Sequence, residues 1–214
     1  MGIMNPRPQA SLRQHLFARF WGIAAGPVNR TLAPTKRGLF ADLPREVVEI
    51  GPGVGSNFAY YAPGTTVRAF EPNPSMHDKL RAEASARRVH LDLSTLDLRN
   101  AAIPSDSVEA VVSTLVLCSA EDATNLVKDI HRILRPGRAF LFLEHVAPAP
   151  GTGAHAVARM VRRPWALLGD NCNVMAPTVD AIAAAGFSSV DANLDNFGGR
   201  LDPSGRHYYG VAMK

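Results

Sequence analysis

The sequence predicts an α/β fold: a doubly wound, mostly parallel sheet of seven strands that ends in an antiparallel hairpin, behind an N-terminal helical segment. Three observations carry this. After Pro44, apolar runs of strand length alternate with segments of helical period. A glycine turn, "VVEIGPGVGSNF" from Val47 to Phe58, stands where a first strand passes into a helix. Only the Gly/Asp/Pro-rich loop "DNFGGRLDPSGR" separates the last two apolar runs, and with no crossover helix between them those strands pair antiparallel.

Taken in order, residues 1–9 read as a tail. Ser11 then caps a helix in which Leu12, Leu16, Phe17, Phe20, Trp21 and Ala24 recur at helical spacing and make one aromatic face. Pro27 and Pro34 break that pattern, so a second, short helix is expected from Thr35 to Leu39. Strands are expected at 46–50, 66–71, 88–92, 108–114, 138–144, 188–194 and 207–213, and helices at roughly 55–61, 75–86, 121–134 and 177–185. Residues 147–176 interrupt the alternation as an insertion over the sheet's carboxyl edge, where open α/β sheets bind ligands. The division is therefore a tail and helical lid over 1–44 and one ligand-binding domain over 45–214. A chain of 214 residues suffices for one such core.

Composition narrows the function. The net charge of +4 is spread over the N-terminal third and the Arg162, Arg163 pair, not gathered into a stripe with interleaved aromatics, so no nucleic acid partner is expected. Two cysteines, Cys118 and Cys172, are too few for a disulfide framework or a four-ligand zinc site; a reducing compartment and no metal are the expectation. The apolar "AFLFLE" falls well short of the ~20 residues of a membrane helix, and a cytoplasmic protein is expected.

The glycine turn narrows it further. A dinucleotide fingerprint needs a third glycine or alanine at position 56, where this chain has Ser56. Glu49, Gly51, Gly53 and Gly55 instead form E-x-G-x-G-x-G, which resembles the first motif of class I S-adenosylmethionine-dependent methyltransferases, though a tight turn without a ligand uses the same residues. The resemblance implies a Rossmann-like fold and S-adenosyl-L-methionine as cofactor. It implies that Glu49, Gly51, Pro52, Gly53, Gly55 and Asn57 surround the cofactor's amino acid and ribose. Glu71, at the end of the second strand with Pro72 and Met76 beyond it, would accept both ribose hydroxyls. Asp97 and Leu98 follow the third strand and would meet the adenine, with Asp92 a competing acid; Thr114 and Leu115 would lie under the methyl group. The tip of the fourth strand reads "STLVLCS", not the Asn/Asp-Pro-Pro-aromatic of enzymes that methylate nucleic acid amino groups, which disfavours base methylation.

"GSNFAYYAPGTTV" with "EPNP", then "TLVLCS", "EHV", "PWALLGDNCN" and the terminal "HYYGVAMK", make the chain from Val47 to Lys214 similar to the small alkyl-thiol S-methyltransferases. The resemblance implies a small, largely apolar thiol as acceptor, bound by a monomer or homodimer. It fails at the N-terminus, where the animal enzymes carry an apolar anchor and this chain has only the amphipathic aromatic helix, so at most weak peripheral membrane contact is expected. His145 is the candidate to take the thiol proton or to hydrogen-bond the thiolate, with a purely structural histidine the alternative; Asp170 either orients His145 or caps a turn. Phe17, Phe20, Trp21, Trp165, Cys118 and Cys172 are the candidate substrate wall, the cysteines read as small hydrophobes and not as catalysts. The aromatic helix has three readings, as a lid that excludes water, as ordinary core or as a membrane-surface helix. Oxygen or nitrogen methylation of a lipid, quinone or natural product, a nicotinamide-dependent oxidoreductase, and a binding protein without turnover are the rival functions.

Overall fold

A computed structural model describes residues 10–214, so the tail expected at 1–9 lies outside the described residues. Its strands are β1 (Glu46–Ile50), β2 (Thr66–Phe70), β3 (His90–Ser94), β4 (Val108–Thr114), β5 (Leu134–His145), β6 (Ser189–Asn196) and β7 (Arg206–Met213). They form one sheet in the order β3-β2-β1-β4-β5-β7-β6. β1 to β5 run parallel, whereas β7 pairs antiparallel with both β5 and β6. The hairpin expected from the missing crossover helix is thus present.

Side chains alternate across the sheet with period two. Val48 and Ile50 of β1 join Val111, Phe140 and Phe142 on the face covered by α3 (Ala123–Ile133) and α5 (Thr178–Ala183). Val47 joins Val67, Ala69, Val112 and Leu141 on the opposite face, covered by α2 (His77–Arg87) and by Phe40 at the end of α1. Glu49 has the parity of Val47, which sends a carboxylate into an apolar layer.

Three elements differ from the sequence expectation. α1 runs unbroken from Leu12 to Leu39 with Pro27 and Pro34 inside it, where a break and a second helix were expected. An interior proline costs about 3 kcal/mol, but both are on the exposed side while Ala18, Ala25, Leu32 and Lys36 recur along one buried face. Burial of that face holds the helix together. β5 begins at Leu134, not at 138, because "LRPG" continues the strand through an irregularity in which the register against β4 slips between Val108 and Ala110. The segment expected as a helix at 55–61 closes as a single 3₁₀ turn, Phe58–Tyr60. The 147–176 insertion contains α4 (Gly153–Leu168), and α1 and α4 pack against each other at the carboxyl edge of the sheet.

Candidate active site

The glycine turn leaves β1 with Gly51, Gly53 and Gly55 all at positive φ (56°, 59° and 82°), which only glycine adopts without strain. A Cβ on Gly51 would stand 2.7 Å from Cγ2 of Val116, and one on Gly53 would touch the Trp21 indole at 3.4 Å. Pro52 is buried within the turn and its carbonyl accepts the Gly55 N–H. Across from the turn, the buried Glu71 carboxylate accepts the Gly53 N–H at 2.8 Å through one oxygen and the Asn73 N–H at 2.9 Å through the other. Each oxygen keeps a second lone pair, which is what a ribose diol requires. Burial pushes this carboxyl up to about 7 against the pull of both backbone bonds. A buried Asn57 Oδ1 without a partner adds a second polar atom at the same turn. The left-handed glycine loop, the half-used carboxylate and the orphaned amide oxygen fit S-adenosylmethionine.

Glu49 does something else than expected. Its carboxylate is fully buried and accepts the Asn57 amide (2.8 Å) and the Tyr61 hydroxyl (2.8 Å), while the same Asn57 amide reaches Thr114 Oγ1 at 3.0 Å. The expected cofactor ligand is therefore a clamp on the glycine loop, and Asn57 and Thr114 are tied into it. Burial pushes Glu49 up to about 7, offset in part by those hydrogen bonds and by Lys36. Lys36 lies buried nearby, is pulled down to about 8 by desolvation, and reaches Asn29 Oδ1 at 2.9 Å.

A stability prediction follows from Glu49. Because its folded pKa lies above the unfolded value, its contribution is complete below the ordinary carboxylate range and lost as pH rises through about 7, by on the order of 3 kcal/mol at most. Glu49→Gln keeps an acceptor and does not titrate. Its melting temperature relative to the wild type should therefore climb between pH 5 and pH 8; a pH-independent difference would show that Glu49 is not the protonated clamp described.

Beyond Glu71, Pro72 is exposed and Met76 is buried. Asn73 donates its amide to the Gln14 carbonyl of α1 at 3.1 Å, tying the helix to the loop. Asp97 lies past the end of β3, where it caps the 3₁₀ turn Leu98–Asn100 through the Arg99 N–H. Its competitor Asp92 is in the middle of β3, 3.9 Å from Arg68, and so away from the carboxyl edge. The Leu98 side chain belongs to the core, which leaves its backbone to meet a ligand.

Above the turn, α1 brings Phe17 and Trp21 in as a stacked pair 6.1 Å apart, with Trp21 against Gly53. Phe20 faces away and is 56% exposed, so this candidate for the substrate wall is withdrawn. Arg13 joins the helix to the insertion, donating to the Ala166 carbonyl and to Asn171 Oδ1 and lying 3.5 Å from Asp170. Asp170 is thus Arg13's partner and does not orient His145.

The β4 and β5 tips build the other wall. Thr114 ends β4, and Leu115 takes a left-handed φ of 60° to start the loop. Glu144, fully buried at the end of β5, accepts the Ser113 hydroxyl and the backbone N–H groups of Val116 (2.8 Å) and Leu117 (3.0 Å). It fixes the loop that presses on Gly51 and presents Cys118. Sequence reading passed over it, although an acid closing the apolar run "AFLFLE" was the available signal. Next to it, His145 Nε2 lies 3.5 Å from Cys172 Sγ, and Cys118 donates to Cys172 Sγ at 3.7 Å. That bond and the His145 contact hold the Cys172 thiol well below its usual range, while Cys118 is pushed up. Burial works against a charged His145, but the contact with Cys172 outweighs it and the imidazole is raised. Trp165 is half-buried against Cys172. A cleft of about 490 Å³, lined by Leu117, Cys118, Asp122, Asn171, Asn173 and Pro177 among others, opens beside Cys118.

Three comparisons bear on this geometry. A family model described as a methyltransferase domain matches residues 48–142. The chain is 31% identical over 198 residues to the human protein named thiol S-methyltransferase TMT1A, covering 87% of this chain and 81% of the human one. It is 30% identical over 200 residues to human thiol S-methyltransferase TMT1B, with the same coverage of 87% and 81%. Among solved structures, a SAM-dependent methyltransferase from Thermotoga maritima described as a possible histamine N-methyltransferase aligns over 94% of this chain and 99% of its own (TM-score 0.64, 17% identity). An O-methyltransferase family protein from Burkholderia thailandensis aligns over 94% and 59% (TM-score 0.66, 18% identity). These two share the fold.

Proposed function

This chain belongs to the family of class I S-adenosylmethionine-dependent methyltransferases that includes the human thiol S-methyltransferases, and we propose that its own acceptor is the sulfur of a small, largely apolar thiol. One observation carries the choice of acceptor. Two thiols and an imidazole, Cys118, Cys172 and His145, meet next to the half-buried Trp165, while the neighbouring Glu144 carboxylate is taken up by Ser113 and the loop N–H groups of Val116 and Leu117. That is a site for a soft nucleophile.

When bound, the cofactor supplies a sulfonium methyl, which passes in line to the acceptor sulfur as its own sulfur–carbon bond breaks. The protein's part is alignment and exclusion of water. The Glu49–Asn57–Thr114 and Glu144–Val116 networks fix the two loops that face each other, and holding two reactants so can be worth several kcal/mol. α1 acts as the lid, with Trp21 over Gly53 and Arg13 bridging to the insertion. A thiol of pKa near 8.5 is already a few per cent thiolate at pH 7, so the Cys118–His145–Cys172 cluster has only to favour loss of that proton to water. Asp170 supports the lid through Arg13. No helix among the described residues is long and apolar enough to cross a membrane.

The test is a matched pair of acceptors. An alkyl thiol should be turned over while the alcohol of the same skeleton is inert, because an alcohol needs a strong base that these groups do not supply. Equal turnover of the two would reject the thiol reading and favour an oxygen-methylating enzyme.

A further inference from the structure

We propose that Cys118, His145 and Cys172 bind a zinc ion with one position left open, and that this position takes the acceptor sulfur as a thiolate. The inference rests on the thiol reading above and says how the cluster carries it out. From sequence alone no metal was expected, since two cysteines cannot enclose an ion; the fold adds a histidine from the end of β5.

The geometry is that of a tetrahedral site. With Zn–S near 2.3 Å and Zn–N near 2.0–2.1 Å, ligand atoms around one zinc ion stand about 3.8 Å apart for two sulfurs and about 3.5 Å apart for sulfur and nitrogen. Here the two sulfurs are 3.7 Å apart and Cys172 Sγ is 3.5 Å from His145 Nε2. All three ligand atoms lie within 4.8 Å of one another, so the remaining edge needs at most about 1.3 Å of side-chain adjustment.

The ligands come from three separate elements: the loop after β4, the last residue of β5 and the loop after α4. The Asn173 N–H donates to the Cys118 carbonyl at 2.8 Å, which ties the loop after α4 to the loop after β4. No fourth Cys, His, Asp or Glu joins the group among the described residues, and three protein ligands with an open position are the pattern of reactive zinc sites, not of closed structural ones. Cys118 lines the cleft of about 490 Å³, so the cleft reaches one edge of the cluster.

The chemistry suits sulfur in particular. Two cysteine thiolates cancel the charge of the ion, so a third thiolate makes the site anionic and keeps electron density on the incoming sulfur. The S–H proton goes to water as the Zn–S bond forms. Methyl transfer then forms the new S–C bond, the sulfonium S–C bond breaks with its electron pair returning to the cofactor's sulfur, and the neutral thioether product leaves the ion. Zinc changes neither its own oxidation state nor that of the protein.

The test reads the metal itself. Protein carrying no histidine tag and purified without chelator should hold about one zinc per chain by elemental analysis. After zinc is removed, Co²⁺ should give the thiolate charge-transfer absorption and intense visible bands of a tetrahedral sulfur site, and ethanethiol should shift the visible bands. Cys172→Ser and His145→Ala should each lower zinc affinity by at least the ~100-fold that losing a supporting residue can cost, with circular dichroism melts to show that they fold. Reduced wild-type protein that takes up neither zinc nor cobalt with these bands, or that is isolated with Cys118 and Cys172 joined as a disulfide, would overturn the proposal. Thiol methylation by metal-free protein would retain the proposed function and reject the zinc site; a cobalt site on a protein that does not methylate thiols would do the reverse.

Discussion

Replacing Glu71 by alanine should weaken binding of S-adenosylhomocysteine by on the order of 2–4 kcal/mol, roughly 30- to 1000-fold, by calorimetry. Both carboxylate oxygens already accept a backbone N–H, from Gly53 and Asn73, and each has one lone pair left for one hydroxyl of the ribose. Alanine removes two charge-assisted acceptors from the ligand and leaves two loop N–H groups without their partner. Glu71→Gln separates these effects, because one amide oxygen still accepts from a loop while the other position becomes a donor. Its loss should be intermediate. An unchanged affinity in Glu71→Ala would remove Glu71 from the ribose site, and tight NAD⁺ binding by the wild type would overturn the cofactor assignment.

The parts of this site that were legible in the sequence are those written in backbone. A glycine with a left-handed φ has no cheap substitute, so Gly51, Gly53 and Gly55 announce the turn, and the alternation of apolar runs announces the sheet that carries it. The missing crossover helix before β7 likewise fixed the antiparallel end. What the sequence hid depends on which way a side chain faces after packing. Glu49, next to the last residue of β1, and Glu71, just past β2, both stand beside the cofactor loop, yet the parity of Glu49 turns it inward to Asn57 and Tyr61. Phe20 has the same aromatic character and helical spacing as Phe17 and Trp21, but it falls on the outward side of α1. The prolines misled for a related reason: local propensity disfavours them in a helix, and burial of Ala25, Leu32 and Lys36 on either side overrides it. The union of Cys118, His145 and Cys172 has no local signature at all, because each residue comes from a different element.

His145→Ala should lower turnover of an alkyl thiol about 10²–10⁴-fold at pH 7, and the deficit should shrink as pH rises. The cluster makes the acceptor sulfur more acidic at neutral pH, whether the positive centre there is a proton or a metal ion. Without His145 the enzyme must wait for the small fraction of thiol that ionises unaided, a few per cent at pH 7 and about half near pH 8.5. The variant's rate should therefore rise across that interval while the wild-type rate changes less. A thiol of lower pKa should narrow the gap already at pH 7, since its proton leaves without help. A histidine with only a structural role behaves differently: losing a buried side chain that touches Cys172 would lower the melting temperature and reduce turnover by the same factor at every pH, whichever thiol is supplied. A variant that stays folded and turns over at near the wild-type rate from pH 6 to 9 would take His145 out of the reaction. Catalysis would then rest on alignment by the Glu49 and Glu144 networks and on exclusion of water by α1.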